Sequence, residues 1–474
     1  MSDSAVYDVP VDYSKKHAVR DLYRYNKLTP TSTADVLLNT GSPDVYFELP
    51  AVPANLSKSY LTFQLAVPAH ASAGIGQTEL FTLGVPSIAR MSVYTRGGVQ
   101  LVEIPDCARY LATVLPYNTP LADLMVNGDA MMATDALVPL EVFQPIHTTG
   151  VDDGSYAARA APFNGYTNQT ALAPVFSAAP AFCESSFNAI SQLMLLTSLN
   201  GVAVPALTAS YRIPLSVFKH TLLAMDKDLY FGQILIMRLT FSNASKIGHT
   251  SVDGGANCVG LASAVISKLY LNIARCADPA VAAQLVAKVQ SGSHKVVVPY
   301  VHSYSYSSAS TFNSINLKLN VGFGQRIMRI YNTVYSGLDV AGPDGGQYLC
   351  HNNTANLLLS SYYTTLNNSR LQDQDVSAVL LDDYNLMAEM IRGSAIQGHR
   401  AFRAVHCHID NWTAGKSIEW GDADSKEIVD GLDVSQEQSY SWYVTVPTGE
   451  ARVYLSYMIF QKELDISAAM ITLV

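Results

Sequence analysis

Short segments in which apolar and polar residues alternate recur along the chain, and turns rich in Pro, Gly and Asn separate them. Alternation with a period of two places every second side chain on the same face, which is typical of a half-buried β-strand. The clearest predicted strands are, in chain order, residues 44–49, 60–67, 88–94, 232–241, 264–273, 295–300, 314–321, 327–335 and 401–410. Many short strands with few helices predict an all-β protein built from sandwiches.

Four segments carry helical signals instead, and the strongest lies between the two halves of the strand pattern. In residues 278–292, Asp278 is suited to cap the free amides, Pro279 fits the first turn and Gly292 can end the helix. The apolar residues of this segment fall on one face: Val281, Leu285, Val286 and Val289. We expect further short helices at residues 104–115, 213–223 and 380–391.

A faint internal repeat divides the pattern into two lobes. The strand at 88–94 and the helix at 104–115 match the strand at 327–335 and the helix at 380–391. The strand and helix starts lie 16 positions apart in the first lobe and 53 in the second, so this pairing requires an insertion in the second lobe. The repeat predicts two tandem jelly-roll β-sandwiches, a double jelly roll with a few short helices. The predicted divisions are an N-terminal arm at 1–34, jelly roll 1 at 35–277, a connector helix at 278–292 and jelly roll 2 at 293–474.

Two connections add detail to this picture. The last two predicted strands, residues 440–446 and 451–460, flank a Pro-Thr-Gly turn at 447–449, and this turn chemistry predicts a hairpin. Residues 145–185 are rich in Gly, Ala, Ser and Pro and show no period. A long irregular segment within a compact domain favours an elaborated surface loop.

Composition indicates that much of the surface faces other protein. Only 15% of the 474 residues are charged, against roughly 25% in an ordinary globular protein, while 27 are Tyr. Interfaces are enriched in Tyr and depleted in Lys and Glu. The alternative is a large monomer whose long loops of Ser, Asn and Thr provide the solvated surface. Core or subunit packing is the expected role of the strand residues Tyr331, Tyr335, Tyr443, Tyr454, Tyr457 and Met458.

The formal net charge of −9 argues against the body of the protein coating nucleic acid, which requires a basic surface. One basic cluster, interleaved with Tyr, lies in the predicted arm: Lys15, Lys16, His17, Arg20, Arg24 and Lys27. It predicts either an arm that contacts phosphates or a neighbouring subunit, or a solvated terminus. The six Cys are scattered and the N-terminus lacks a signal-peptide pattern, so we expect reduced thiols and synthesis inside the cell.

Few residues are arranged for chemistry. In the strand at 401–410, His406, His408 and Asp410 alternate, so they share one face and could converge on a metal ion. No further ligand is identifiable, and we therefore predict no metal site, no cofactor and no catalytic residues. Residues 415–417 resemble the end of a phosphate-binding loop, but Asp410 occupies the position of its first Gly, which excludes that motif.

Several segments resemble the major capsid proteins of polinton-like viruses and virophages. In the second lobe these are residues 362–372 (YYTTLNNSRLQ), 383–384 (DY), 391–396 (IRGSAI) and 408–412 (HIDNW). In the first lobe, residues 213–215 (IPL) and 228–233 (DLYFGQ) are similar to the segment that closes the first jelly roll in that group. The resemblance covers most of the chain.

The resemblance implies a structural protein of a DNA virus and not an enzyme. It implies two eight-stranded jelly rolls side by side, homotrimers of pseudo-hexagonal outline, and an icosahedral virion assembled inside an infected eukaryotic cell. The expected partners are other copies of the chain, penton proteins and minor capsid proteins. The arm is a candidate contact for an inner membrane or the genome, and no small-molecule substrate is expected.

Two other functions stay open. A lectin-like or carbohydrate-active β-sandwich would need paired carboxylates beside exposed Trp, and the chain contains only three Trp. A minor or vertex capsid protein often carries one jelly roll, so the presence of two lobes counts against it.

Overall fold

Strands dominate the computed structural model, and their side chains alternate between a sandwich core and the opposite face. In strand Leu235–Phe241, every second side chain is buried, as the sequence alternation predicts. The all-β prediction is confirmed. The structure describes residues 23–31, 35–39, 41, 43–70, 76–80, 88–107, 109–111, 114, 194–198, 206–251, 258–292, 294–309, 311–320, 326–336, 360–377, 407–412, 431–434, 439–446, 451–467 and 470–473.

The first lobe and the helix that follows it are built from these elements. The strands are β1 (Tyr23–Leu28), β2 (Val36–Leu38), β3 (Asp44–Leu49), β4 (Ala54–Val67), β5 (Gly76–Leu80), β6 (Ile88–Thr95), β7 (Gln100–Ile104), β8 (Met194–Ser198), β9 (Leu207–Pro214), β10 (Asp228–Leu229), β11 (Leu235–Phe241), β12 (Gly248–Ser251), β13 (Cys258–Gly260) and β14 (Ala264–Cys276). The helix is α1 (Pro279–Gln290), and short 3-10 turns span Leu215–Val217, Leu222–Ala224 and Ala244–Lys246.

The second lobe follows α1 and consists of strands among the described residues. They are β15 (His294–Ser308), β16 (Ser314–Asn320), β17 (Arg326–Ser336), β18 (Ser361–Leu366), β19 (Ser369–Arg370), β20 (Val376–Ser377), β21 (Cys407–Asn411), β22 (Leu432–Asp433), β23 (Ser439–Thr445), β24 (Arg452–Ile466) and β25 (Ile471–Leu473).

The two lobes follow the same path through two facing sheets. In the first lobe, sheet 1 has the order β1–β14–β4–β9, with β2 and β10 at its ends, and sheet 2 has the order β3–β11–β6–β7. In the second lobe, sheet 4 (β15–β24–β17–β21) and sheet 5 (β16–β23–β18–β19) repeat these orders. In chain order, the eight principal strands of the first lobe are β1, β3, β4, β6, β7, β9, β11 and β14, and those of the second lobe are β15, β16, β17, β18, β19, β21, β23 and β24. When these strands are numbered from one to eight, the two sheets of each lobe have the orders 1-8-3-6 and 2-7-4-5. Each lobe is therefore an eight-stranded jelly roll, and the predicted double jelly roll is confirmed.

This topology corrects the details of the sequence repeat. Strand β6 occupies position four of its lobe and β17 occupies position three, so the predicted pairing of residues 88–94 with 327–335 is wrong. The match rested on similar apolar and basic residues in the two strands. Such a pattern does not depend on the position that a strand occupies in the sheet. The counterpart of β6 is β18, which begins at 361, only 19 positions before the predicted helix start at 380. Measured from β18, the strand-to-helix spacing in the second lobe is close to the spacing of 16 in the first lobe, so the second lobe requires no large insertion here.

The predicted short helices fare differently. Residues 107, 109–111 and 114 are helical, in agreement with the prediction at 104–115, whereas residues 380–391 lie outside the described part of the chain. The helix predicted at 213–223 is wrong, because β9 extends to Pro214 and two 3-10 turns follow it. Between those turns, His220 adopts a φ of 57°, which interrupts any regular helix.

Two other predictions are also replaced. The hairpin of residues 440–446 and 451–460 is wrong, because β23 belongs to sheet 5 and β24 to sheet 4. The two strands lie in facing sheets because both bury an aromatic ring in the core between them. Trp442 of β23 and Tyr454 of β24 meet edge-on there, with ring centroids 6.0 Å apart. Part of the predicted arm is β1, which pairs with β14 from Tyr23↔Cys276 to Leu28↔Leu271.

The helix predicted between the lobes is confirmed as α1. Asp278 accepts hydrogen bonds from the backbone amides of Ala280 and Val281, at 2.8 Å and 3.4 Å. Val281, Leu285 and Val289 form its buried face, as the apolar spacing predicts. Within the described residues, no helix has the length and apolar character needed to cross a membrane.

A small sheet extends one end of the first lobe. Sheet 3 has the order β13–β12–β5–β8, and these strands come from the connections between positions three and four, five and six, and seven and eight. Strands at successive positions run in opposite directions, so these three connections leave the sandwich at the same end. The predicted surface loop at 145–185 belongs to one of these connections and lies outside the described residues.

Candidate functional site at the junction of the two lobes

Sheet 4 is buried on both of its faces. Its inner face packs against sheet 5 in the core of the second lobe, with Ile330, Met458 and Phe460 among its residues. Its outer face belongs to the hydrophobic core of the first lobe instead, through Val301, Met328, Tyr331, Ile409, Leu455, Tyr457 and Ile459. Strand β24 accordingly reads as a near-continuous apolar run and not as an alternation. We call this contact between the outer face of sheet 4 and the first lobe the junction.

The first lobe contributes the side that carries its fifth strand. Strand β7 and the 3-10 turn Leu222–Ala224 lie against β15. The ring of Tyr110, in the helical segment after β7, meets Tyr457 edge-on at a centroid distance of 5.2 Å. The Tyr110 hydroxyl donates a hydrogen bond to the backbone carbonyl of Lys219. The contact between the Tyr110 and Tyr457 rings therefore helps to position the first lobe against the second.

A polar chain crosses the same junction. His220 Nε2 lies 2.9 Å from the hydroxyl of Tyr331, and that hydroxyl accepts a hydrogen bond from Arg329 Nη1, also at 2.9 Å. Arg329 Nε donates to Asn411 Oδ1 at 3.3 Å. The chain thus links β17 and β21 of sheet 4 to the loop that follows β9.

Burial keeps the histidine of this chain neutral. Removal from water lowers the pKa of His220 well below its ordinary value, and the positive charges of Arg329 and Lys219 lower the pKa further. Burial also raises the pKa of Tyr110 well above its ordinary value. The junction is consequently an apolar contact that holds the Arg329 guanidinium, three tyrosines (Tyr110, Tyr331 and Tyr457) and an uncharged imidazole.

The predicted metal-binding pattern lies elsewhere, inside the second lobe. His408 and Asp410 project from β21 into the sandwich core, where His408 Nε2 and Asp410 Oδ1 are 3.1 Å apart. His406 lies outside the described residues. Among the residues that the structure describes, no group of three His, Cys, Asp or Glu side chains could hold a metal ion. The prediction that two of these residues share a face is confirmed.

The surroundings of Asp410 form a buried polar network instead. Its Oδ2 accepts a hydrogen bond from Tyr440 of β23 at 2.6 Å, and Tyr440 accepts one from Asn332 of β17 at 2.7 Å. Gln372 Nε2 lies 3.4 Å from Asp410 Oδ1 and its amide oxygen accepts from Thr364 of β18. The network bridges sheets 4 and 5, so this cluster clamps the two sheets of the second lobe together.

The pKa of Asp410 reflects that network. Burial on its own raises this pKa, but the charge of His408 and the hydrogen bonds from His408 and Tyr440 lower it, and the net pKa lies below the ordinary value. A carboxylate held in this way is an ionised structural anchor and not a general acid.

Sequence reasoning did not identify His220 or Arg329 as functional residues. His220 lies in a segment predicted as a helix, and Arg329 lies in a strand that the predicted repeat matched with the wrong counterpart. The available signal was the aromatic content of the strands, since Tyr331 and Tyr457 were expected in the core or in subunit contacts, and both are buried. A single sequence does not show which of two sheet faces meets another lobe.

Comparison with known proteins identifies this architecture. No protein-family model matches the chain, and no curated protein matches its sequence. The structure of the Faustovirus major capsid protein matches with a TM-score of 0.53 at 10% identity, over 94% of this chain and 90% of that chain. A chain of the Sputnik virophage structure matches with a TM-score of 0.53 at 13% identity, over 97% of this chain and 89% of that chain. At these identities the likeness establishes the fold alone, and that fold is the double jelly roll.

Proposed function

We propose that this protein is a structural major capsid protein whose homotrimers, pseudo-hexagonal in outline, tile an icosahedral virus shell. The observation that carries the proposal is the repetition of one eight-stranded path in two lobes that share a buried junction. A rigid pair of similar lobes gives three chains six similar units, which is what a near-sixfold tile requires. The fold likeness to the Faustovirus protein supports a role in the capsid.

The proposal extends to location and partners. The protein is placed in the virion, after synthesis and assembly inside the host cell, with other copies of the chain as its main partner. Penton proteins and minor capsid proteins are proposed at the edges of the tiles. The N-terminal segment before β1 is the proposed contact for an inner membrane or the genome. The predicted boundary at 35 moves to the start of β1, so we propose the divisions 23–277 and 293–474 for the two jelly rolls.

The alternative of a sugar-binding β-sandwich gains no support from the described tryptophans. Trp442 is fully buried in the core of the second lobe, and Trp412 is partly buried against the same core. Neither provides the exposed ring on which a sugar would stack. Trp420 lies outside the described residues.

Mass photometry of the purified full-length chain, with negative-stain microscopy, tests the proposal. We expect a species of three times 51.3 kDa that persists on dilution to nanomolar concentration and has a hexagonal outline. Contacts between trimers should weaken as salt is raised, because exposed charges are screened. A stable monomer at neutral pH would exclude the proposed function.

A further inference from the structure

The junction inside one chain is a head-to-tail contact. The outer face of the 1-8-3-6 sheet in the second lobe packs on the side of the first lobe that carries its fifth strand, β7. The two surfaces are different, so the contact is heterologous. Repetition of a heterologous contact from chain to chain closes a ring when the rotation permits it.

The equivalent face of the first lobe is open in the single chain. This face is the outer side of sheet 1, and Tyr25 of β1 and Leu37 of β2 are exposed on it by 51% and 57%. Their strands occupy the position that β15 occupies in sheet 4. Sheet 4 buries its outer face within the chain, whereas sheet 1 leaves Tyr25 and Leu37 exposed near the two ends of β14.

The chemistry of this face is that of an interface. Lys27 Nζ lies 3.5 Å above the ring of Tyr270, and the Arg212 guanidinium lies 4.1 Å above the ring of Tyr60. Tyr25 packs against Tyr60 at a centroid distance of 5.3 Å. Tyr and Arg are enriched in interfaces because they combine a large apolar area with a polar end. Lys27 and Arg212 are exposed and positively charged, and their contacts with the Tyr270 and Tyr60 rings hold them in place.

A complementary side exists on the second lobe. Strands β19 and β20 occupy the fifth position there, as β7 does in the first lobe. The segment that joins them exposes 40% of Leu371, together with the carboxylates of Asp373 and Asp375. Asp375 pairs with Arg370. Because Arg370 balances the charge of Asp375, Asp373 is the carboxylate in excess on this side, in the same segment as Leu371 and opposite in sign to Lys27 and Arg212.

We propose that the outer face of sheet 1 docks on the β19–β20 side of a second copy of this chain, so that the contact between chains repeats the internal junction. The inference rests on the proposed homotrimer and specifies its contact surfaces. Three such contacts and three internal junctions close a ring of six lobes. Charge complementarity sets the register of the contact between chains, while Tyr25, Leu37 and Leu371 supply its buried apolar area.

Nucleic acid is the other polymer that a basic aromatic face attracts. Binding to single strands uses aromatic rings whose faces are free to stack on bases. Here Lys27 covers the ring of Tyr270, and Arg212 and Tyr25 contact that of Tyr60. The rings are engaged with cations of the same chain, which favours a protein partner over bases.

Charge reversal on both surfaces tests the contact. We expect Lys27→Glu with Arg212→Glu to raise the trimer dissociation constant about tenfold or more, and Asp373→Lys to raise it in the same direction. All three substitutions in one chain restore opposite charges, and the constant should return to within about threefold of the original. The matched control is Lys318→Glu on the exposed face of β16, which should leave the constant unchanged.

Mass photometry over a dilution series gives these constants, and circular dichroism melting of each variant checks its fold. Should the strand variants melt early, Asp373→Lys tests the opposite surface from a segment outside the strands. Unchanged trimers in both reversed variants, or no recovery in the combined chain, would overturn the inference. It is also overturned if reversal abolishes binding of a fluorescent oligonucleotide while the trimers persist. A wild-type monomer would instead refute the proposed function itself.

Discussion

His220 of the first lobe and Tyr331 of the second lobe are joined by a 2.9 Å contact between the imidazole Nε2 and the phenol oxygen, although 111 positions separate them in sequence. Both side chains are buried, and their rings lie 5.7 Å apart between centroids. The pair is thus a direct polar link across the junction. Removing this link would weaken the contact between the two jelly rolls and not the packing inside either of them.

Replacement of Tyr331 by Phe should therefore weaken the junction. The substitution keeps the ring but takes one hydrogen-bond partner each from His220 Nε2 and Arg329 Nη1 in a buried setting. We expect the free energy of unfolding to fall by about 1–3 kcal/mol. Urea denaturation at a fixed protein concentration measures this change. Tyr306→Phe, at a residue that is 46% exposed, is the control and should have no effect; an equal loss in both variants would contradict the role of the link.

Acid should weaken the same contact. The pKa of His220 is lowered by burial first and by the charges of Arg329 and Lys219 second, so His220 is neutral in the folded chain. The unfolded chain takes up this proton below pH of about 6.5, and stability is therefore complete above that pH and falls by about 1.4 kcal/mol per unit below it. His294, with a pKa lowered to about 4, acts in the same direction.

A His220→Gln variant isolates this contribution. Glutamine can still form a hydrogen bond with Tyr331 but does not titrate, so the slope of unfolding free energy against pH between about 6.5 and 5 should be smaller than in the original chain. The experiment is urea denaturation at a series of pH values. Identical slopes in the two proteins would show that the imidazole already binds its proton in the folded state.

The fold was predictable where local sequence decides structure. Alternation located strands such as β3 and β16, and the Asp278–Pro279 pair located α1, because burial of one face and capping act over a few residues. The failures concern relations between distant elements. The turn residues at 447–449 predict a hairpin, yet Trp442 and Tyr454 face each other across the core and their strands lie in different sheets.

The candidate site was less accessible to sequence reasoning for the same cause. His408 and Asp410 stand out because alternation puts them on one face of a single strand, and they are indeed adjacent. The junction residues His220 and Tyr331 come from separate lobes, and their meeting depends on which face of sheet 4 the first lobe covers. Neither composition nor spacing contains that information.

Removal of the Asp410 carboxylate should destabilise the second lobe. In Asp410→Ala, His408 loses the carboxylate beside it and Tyr440 loses the acceptor at 2.6 Å. We expect a loss of about 1–3 kcal/mol for each buried group that is left without its hydrogen-bond partner. Chemical denaturation measures it, with Glu48→Ala at an exposed ion pair as the control. A loss below about 1 kcal/mol would mean that the network does not clamp the two sheets.

The helix between the lobes should depend on its cap. In Asp278→Ala, the amides of Ala280 and Val281 lose their acceptor, and we expect stability to fall by about 0.5–2 kcal/mol. Asp278→Asn retains an acceptor oxygen and should be nearly neutral. Thermal unfolding of both variants provides the comparison. If Asn is as harmful as Ala, the charge of Asp278 and not its hydrogen bonding stabilises this position.

Separation of the two lobes should leave the second one insoluble. Residues 293–474 alone would expose the outer face of sheet 4, where Leu455, Tyr457 and Ile459 are at most 5% exposed in the whole chain. An apolar face of this kind promotes aggregation. Coexpression with residues 1–292 should restore a soluble complex, because the first lobe covers that face. Size-exclusion chromatography of the fragment alone and of the pair is the measurement.

Polar substitution on this face should then have opposite effects in the two settings. Leu455→Ser with Ile459→Ser removes apolar area from the junction, so the full chain should lose about 2–5 kcal/mol of stability for each site. The same change lowers the apolar area that fragment 293–474 exposes, and its soluble yield should rise. Met470→Ser, at a residue already 60% exposed, is the control for both measurements. A fragment that is soluble and monomeric without substitution would show that the junction is a contact between independent domains and not a shared core.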